Sequence, residues 1–168
     1  MRGNDLAVAP TILDRCWQFA LFLAYRTLLV CWFIFRPQRT GAAVVVWFGE
    51  DVLLIRNSYR SPCSVPAGGV ERGEAPVDAA VRELREEVAI CVDADQLGDG
   101  VEIVSRAEYK RDTCYFFEVH LDERPEVRID NREITEARFV SFESVTDIEL
   151  TDTARQFFEW KRKQPAAE

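Results

Sequence analysis

"GGVERGEAPVDAAVRELREEVAI", residues 68–90, packs six carboxylates and three arginines into twenty-three positions. Pro76 suits a first helical turn, and Val77, Ala80, Val81, Leu84 and Val88 recur at helical spacing, so an amphipathic helix is predicted over residues 75–88. At about 100° per residue, with Glu83 as zero, Glu87 falls near 40° and Glu86 near −60°, while the apolar set lies between roughly 100° and 160°. Three carboxylates therefore share one face. Like charges at these spacings destabilise a helix by about 0.2–0.5 kcal/mol per pair, so the arrangement needs compensation, some of it available from Arg82 and Arg85. Two readings stand at this point. One is a solvated face laced with Glu–Arg pairs; the other is a site for a hard cation, which prefers oxygen ligands.

The flanking sequence alternates strands with this helix. "AAVVVWF" (42–48), the turn "GED" and "VLLIR" (52–56) read as a hairpin with a buried strand. Further strands are expected at 101–109 and 113–121, joined around "KRD", and at 136–142. "TDTARQFFEWKRK" (151–163) reads as a terminal helix, with Thr151 or Asp152 accepting from free N–H groups at its start and Lys161, Arg162 and Lys163 opposing the dipole at its end. Strands on both sides of a central helix, with a helix to close, imply an α/β fold with a mixed sheet between helices. Five scattered cysteines without a C-x-x-C pair fit a reducing compartment rather than a disulfide framework or zinc site. His120 is the single histidine, which argues against His-dependent triads and histidine-rich metal sites and leaves it as a strand residue.

Charge divides the chain in two. Residues 1–40 hold five arginines and two aspartates, net +3, and residues 41–168 hold sixteen basic and twenty-seven acidic side chains, net −11. So acidic a body repels a nucleic-acid backbone, so no nucleic-acid partner is expected; a small polyphosphate accompanied by divalent metal is compatible. The basic part centres on "CWQFALFLAYRTLLVCWFIF" (16–35), apolar except for Gln18, Arg26 and Thr27. Twenty helical residues span about 30 Å, enough to cross a bilayer, but an arginine near the centre costs about 2.5–3.5 kcal/mol on insertion scales. A thin polar stripe through Asp14 or Arg15, Gln18 and Arg26 equally suits a helix lying in the interface. Membrane association through residues 12–36 is the leading expectation; a helix packed on the domain or in a homodimer is the alternative. The late start, the length and the lack of a small-x-small site disfavour a signal peptide. "RPQRTG" (36–41) reads as a linker, dividing an N-terminal element, 1–38, from a domain at 39–168.

Residues 68–90 closely resemble the Nudix box: Gly68, five residues, Glu74, seven residues, then Arg82, Glu83, Leu84, Glu86, Glu87 and Ile90, with Ala89 where the pattern has glycine. Eight of nine defined positions match. The resemblance extends loosely over residues 41–160 through the order of strands and does not touch residues 1–35. It implies a Nudix α/β/α sandwich preceded here by the hydrophobic helix, and hydrolysis of a nucleoside diphosphate linked to another group with Mg²⁺ or Mn²⁺. It implies metal ligation by Glu83, Glu86, Glu87 and the backbone carbonyl of Ala67, which stands where many relatives carry another glycine. Arg82 would hold the glutamates in place, and Glu74 would brace the loop–helix junction or bind a metal-ligated water. "VPAGG" (65–69) would supply a tight turn, with Gly68 and Gly69 taking conformations that a Cβ would penalise and lying against the substrate. A later loop often supplies a base or further ligand; in "DNREITEARFV" (130–140) Glu133 fits best, with Glu136 and Glu118 behind it. Arg56 and Arg60 are candidate phosphate contacts, and Tyr59, Phe48 and Trp47 candidates to stack a base. No motif outside the box identifies the leaving group. The competing class is a non-catalytic Nudix-like binding or regulatory module, whose usual mark is erosion of the Arg-Glu-x-x-Glu-Glu core; that core is intact. A cytoplasmic location follows, at the cytoplasmic face of the membrane if residues 12–36 bind lipid.

Overall fold

The apolar run from residue 42 builds the centre of the sheet because it is buried on both faces. In the computed structural model, which describes residues 10–164, β1 (Gln38–Phe48) is hidden from Ala42 to Trp47. Ala42, Val44 and Val46 point into one core and Ala43, Val45 and Trp47 into the other. A strand covered on both sides reads as continuous hydrophobic sequence because its two-residue alternation has no polar face to show. β2 (Asp51–Asn57) follows through a two-residue turn, where Gly49 takes φ 58°.

β1 and β2 pair only at Trp47↔Val52 and Phe48↔Asp51 before they part. The short β4 (Ala67–Gly69) then lies antiparallel beside β1, with Ala42 opposite Gly68, while β2 continues against β7 (Ile134–Ser141) and β3 (Cys63–Ser64). On its other edge β1 runs parallel to β6 (Arg111–Leu121) from Gln38↔Arg111 to Phe48↔Leu121, and β5 (Val101–Ser105) closes that side antiparallel to β6. The sheet is mixed, and helices cover both faces, as expected.

Of the helices, α2 (Pro76–Val88) buries Ala79, Ala80, Leu84 and Val88 against Val44, Val46, Leu53 and Phe117. α3 (Asp152–Lys161) buries Ala154, Phe157 and Phe158 on the opposite face, where Phe157 stacks on Phe116 with centroids 4.7 Å apart. Each fully buried side chain of this size contributes about 1.5–3 kcal/mol. The start of α3 departs from expectation. The Thr151 hydroxyl pairs with that of Ser64 at 3.2 Å, and Asp152 accepts from Ser105, Arg155 and Gln156 rather than capping the helix.

The N-terminal run forms α1 (Ile12–Phe35), opened by a capping box in which Thr11 accepts from the Asp14 amide at 3.2 Å and Asp14 accepts from the Thr11 amide at 2.9 Å. It ends at Arg36, held left-handed with φ 45° just before Pro37. β5 stops at Ser105, short of the expected 109, because Glu108 and Tyr109 turn left-handed, with φ 54° and 62°, and swing toward α1. There the Tyr25 hydroxyl donates to Glu108 at 2.5 Å, and Phe33 meets Tyr109 edge-on at 5.1 Å.

Ala89, at the end of α2, has φ 58° and ψ 24°, and its amide donates to the Arg85 carbonyl at 3.1 Å. A Cβ in this region is penalised and the residue is exposed. Ala89→Gly is therefore expected to raise stability by about 1 kcal/mol, net of the entropy glycine adds to the unfolded chain, with the hydrolysis rate unchanged. Urea denaturation beside a rate measurement checks it; destabilisation would show that the cap has another geometry in solution.

Candidate active site

The close antiparallel contact of β4 with β1 feeds directly into α2 and sets Gly68 against the first carboxylate. A Cβ built on Gly68 would lie 2.0 Å from the Glu83 carboxyl group. Gly68 is thus required for clearance rather than for a positive φ, whereas Gly69 meets nothing within 4 Å, and the left-handed glycine of the loop is Gly73, with φ 85°.

Arg82 organises the helix face. Its Nε donates to Glu74 Oε1 at 2.9 Å and its Nη2 to Glu74 Oε2 at 3.1 Å, a bidentate pair. Nη1 donates to Glu83 at 2.6 Å and reaches Glu86 at 3.5 Å, and Nη2 also donates to the Gly69 carbonyl at 3.0 Å. One guanidinium so ties loop, junction and two of the three glutamates together, and these carboxylates raise its own pKa further. Glu74 is held below the ordinary carboxylate range, first by Arg82 and then by the Glu71 amide.

The three glutamates differ in depth. Glu86 is outermost, with its side chain 54% exposed. In Glu83 burial raises the pKa and the hydrogen bond from Arg82 opposes it. Glu87 is buried, 9% exposed, and accepts from the Ala67 amide at 2.9 Å. Burial pushes its carboxyl up to about 8, because that single amide and the more distant Arg60 offset only part of the desolvation, and the fields of Glu83 and Glu133 add to it.

Glu133 comes to the same cleft from the loop before β7. Its carbonyl accepts from the Ser58 amide at 2.7 Å, its own amide donates to Asp130, and the Tyr59 hydroxyl donates to its carboxylate at 3.3 Å. Arg60 also lines the cleft, donating to Asn57 at 3.2 Å with its guanidinium 5.6 Å from the Tyr59 ring. The cleft, of about 720 Å³, so gathers Ala67, Gly68, Gly69, Glu83, Glu86, Glu87, Glu133, Arg60 and Tyr59. Arg56 does not line it: its Nε pairs with Glu136 at 2.9 Å and it also donates to the Ser61 carbonyl. Glu118, bonded to Trp47 and Lys161 at 2.8 Å each, is likewise elsewhere. Trp47 sits in the core against α3, and Phe48 packs edge-on to Phe139. Cys114 touches the cleft, but burial pushes its thiol up to about 12, which leaves it inert as a nucleophile.

One wall of the cleft is absent from the sequence reading. Leu21, Ala24, Tyr25, Leu28 and Trp32 of α1 line it, together with Arg39, Glu108 and Lys110. In a run that is apolar almost all round, a site-facing stripe has no contrast to reveal it; only Gln18 and Tyr25, seven residues apart on one face, hint at which side is docked.

These groups fit a divalent cation by their chemistry. The donors are oxygens, the deepest carboxylate is buried without a cationic side chain bonded to it, and Gly68 leaves the backbone room beside Glu83. Among the described residues no three acidic, histidine or cysteine side chains close on one point, so an ion held here would need water or substrate oxygens among its ligands, as Mg²⁺ commonly does.

Comparison with known proteins bears on the fold and the family. An RNA pyrophosphohydrolase of Bartonella bacilliformis is 34% identical over 64 residues, which cover 32% of this chain and 38% of that protein. The chain thus matches well under half the length of that curated relative. A MutT protein from Methanosarcina mazei superposes with a TM-score of 0.66 at 22% identity, over 77% of this chain and 99% of the other. The NUDIX domain of Shewanella oneidensis NrtR, solved with ADP ribose, superposes with a TM-score of 0.64 at 16% identity, over 77% and 90%. At these identities the two structures speak for fold alone. The sequence model of the NUDIX domain matches residues 37–161, three quarters of the chain, with the whole of the sheet and the carboxylates of the cleft but not its α1 wall; the chain belongs to the NUDIX domain family.

Proposed function

We propose that this protein hydrolyses a diphosphate bond in a nucleoside diphosphate linked to another group, with Mg²⁺ or Mn²⁺ ions shared among Glu83, Glu86, Glu87 and the Ala67 carbonyl and completed by water and substrate oxygens. The observation that carries this reading is the buried Glu87 carboxyl group, one turn from Glu83 on the same helix face and sharing a cleft with Glu133. The bound metal would neutralise the diphosphate and lower the pKa of water. The remaining work belongs to the chain. Arg82 positions Glu83 and Glu86 without touching substrate, and Gly68 and Gly69 let the diphosphate approach the backbone. Arg60 is oriented by Asn57 to meet a phosphate oxygen, whereas Arg56 would have to leave Glu136 to do so. In hydrolysis a water oxygen bonds to phosphorus, the bridging P–O bond breaks with its electron pair on the departing phosphate, and the water proton passes to a carboxylate. Glu133, steadied by Tyr59, is our choice for that base. A screen of nucleoside diphosphate derivatives and nucleoside triphosphates with each metal, products identified by mass, tests the proposal. Saturable binding of these ligands without products would favour a binding or regulatory module instead.

We further infer that α1 lies flat on an anionic lipid surface at the cytoplasmic face of a membrane. Polar and aromatic contacts tie one side of the helix to the body along its length. Asp14 pairs with Arg132 at 3.3 Å, Gln18 donates to the Asn131 carbonyl at 2.7 Å, Tyr25 meets Tyr59 at 5.1 Å, and Lys110 sits 4.3 Å from the Trp32 ring. A helix so docked has one side unavailable to acyl chains. With Tyr25 as zero at about 100° per residue, the exposed Phe19, Leu23, Val30 and Ile34 fall between roughly 120° and 180°, and Arg15 and Arg26 near 80° and 100°. The exposed Phe22 and Phe33 fall near 60° and 80°, so these arginines lie within the apolar face and would reach head groups by extending along it. Full-length protein is expected to float with phosphatidylglycerol vesicles and to be released by carbonate, while residues 39–168 stay folded and in solution. Carbonate resistance would mean a spanning helix, and a lipid-independent dimer would mean that the face covers a second copy.

A further inference from the structure

The face of α1 turned to the cleft differs in character from the rest of the site. Leu21, Ala24 and Leu28 offer no hydrogen-bonding group, and Leu28 remains 42% exposed although it lies in the wall of a cleft. The same cleft holds the Glu83, Glu86 and Glu87 carboxylates. Two aromatic rings join the two halves. Tyr59 donates to Glu133 on the acidic side and meets Tyr25 at 5.1 Å, and Tyr25 is fixed in turn by its bond to Glu108. The helix is thus tied to the body through its ends and its tyrosine, and Leu28 stays exposed in the cleft wall.

Along Leu21, Ala24 and Leu28 the hydroxyls of a sugar or a second nucleoside would lose water without replacement partners, and of the polar side chains beside them Glu108 and Lys110 are already engaged by Tyr25 and Asp112. Such a wall suits methylene groups, which lose nothing by leaving water and cover exposed apolar surface as they do so. We propose that the cleft takes a diphosphate bearing an apolar chain, the diphosphate beside Glu83, Glu86 and Glu87 and the chain along Leu21, Ala24, Leu28 and Trp32. This rests on the reading of the carboxylates as a metal–diphosphate site and names the group on the far side of the bond. The source of such a ligand is a lipid surface, which is where the outer face of the same helix would hold the protein.

The test measures binding of non-hydrolysable methylenebisphosphonate monoesters with methyl, butyl, hexyl and octyl chains to the full-length protein, by calorimetry with and without Mg²⁺. With Mg²⁺, affinity is expected to rise about twofold per methylene, half the logarithmic gain of full burial because only one wall is apolar, and so on the order of 10²-fold from methyl to octyl. Leu28→Gln and Ala24→Gln should each flatten that slope. The wild-type series stands without them if either fails to fold. Equal Mg²⁺-dependent affinity for methyl and octyl esters overturns the apolar subsite and leaves the diphosphate site standing. A chain-length slope that ignores Mg²⁺ overturns it as well, since the chain would then bind apart from the carboxylates. Failure of every ester to bind overturns both readings.

Discussion

Glu86→Gln and Glu87→Gln are each expected to lower the rate of diphosphate hydrolysis at least about 10²-fold, and EDTA to abolish it. The substrate is the one that the screen of nucleoside diphosphate derivatives identifies. The size of the loss follows from the charge of the site. Bare carboxylates beside a polyanion repel it, so without a cation the face formed by Glu83, Glu86 and Glu87 would oppose the proposed reaction. Gln keeps the volume and removes the charge. At Glu86, whose side chain is 54% exposed, the change should leave folding intact, and circular dichroism would verify this. Rates compared at saturating Mg²⁺ and Mn²⁺ separate weakened metal binding from a lost role in the step itself. Wild-type activity in either variant would remove the metal-site assignment.

Metal-free protein is expected to lose stability as pH rises from about 4.5 to about 8, by an amount on the order of a few kcal/mol that Glu87→Gln abolishes. The sign follows from burial. The Glu87 carboxyl titrates near 4.5 in the unfolded chain and is pushed up to about 8 in the fold. Below the lower value both states are protonated and the stability is fully present; through the window the unfolded state ionises first and stability falls until the folded group ionises too. Net charge of −8 adds general repulsion at high pH, so the difference between wild type and Glu87→Gln is the quantity to read from urea midpoints across pH 5–9. Mg²⁺ or Mn²⁺ should restore the wild type at pH 8–9 and leave the variant unmoved. A pH-independent difference between the two proteins would show that Glu87 is not titrating in this window.

Much of α2 was legible because its signals are local. The apolar positions Ala80, Leu84 and Val88 recur within one helix and are buried where periodicity put them, and the same 100° rotation sets the glutamates on another face. Ala89, which stands where the resemblance puts a glycine, proves to be the left-handed cap, and helix ends are likewise short-range events. The strand expected at 101–109 overran because its last residues are bent by contacts with a helix some eighty positions earlier, Glu108 to Tyr25 and Tyr109 to Phe33. The short β3 and β4 were missed because Cys63–Ser64 and Ala67–Gly69 are too brief to show a period; they exist only through the partners β2 and β1.

By itself the sequence determined the family, the central helix, the two-faced burial of Ala42–Trp47 and the identity of the carboxylates, since each is written in spacing over twenty-odd residues or fewer. Only the tertiary structure decided what surrounds those carboxylates. It places Glu133 in the cleft and engages Glu136 and Glu118 in ion pairs with Arg56 and Lys161. It makes Gly68 a matter of clearance from Glu83, and it turns an apolar N-terminal helix into one wall of the cleft. The physical reason is common to all of these. Desolvation, ion pairing and steric clearance depend on which atoms lie within a few ångströms, and the residues concerned are brought there from many positions away along the chain by the pairing of strands and the docking of α1.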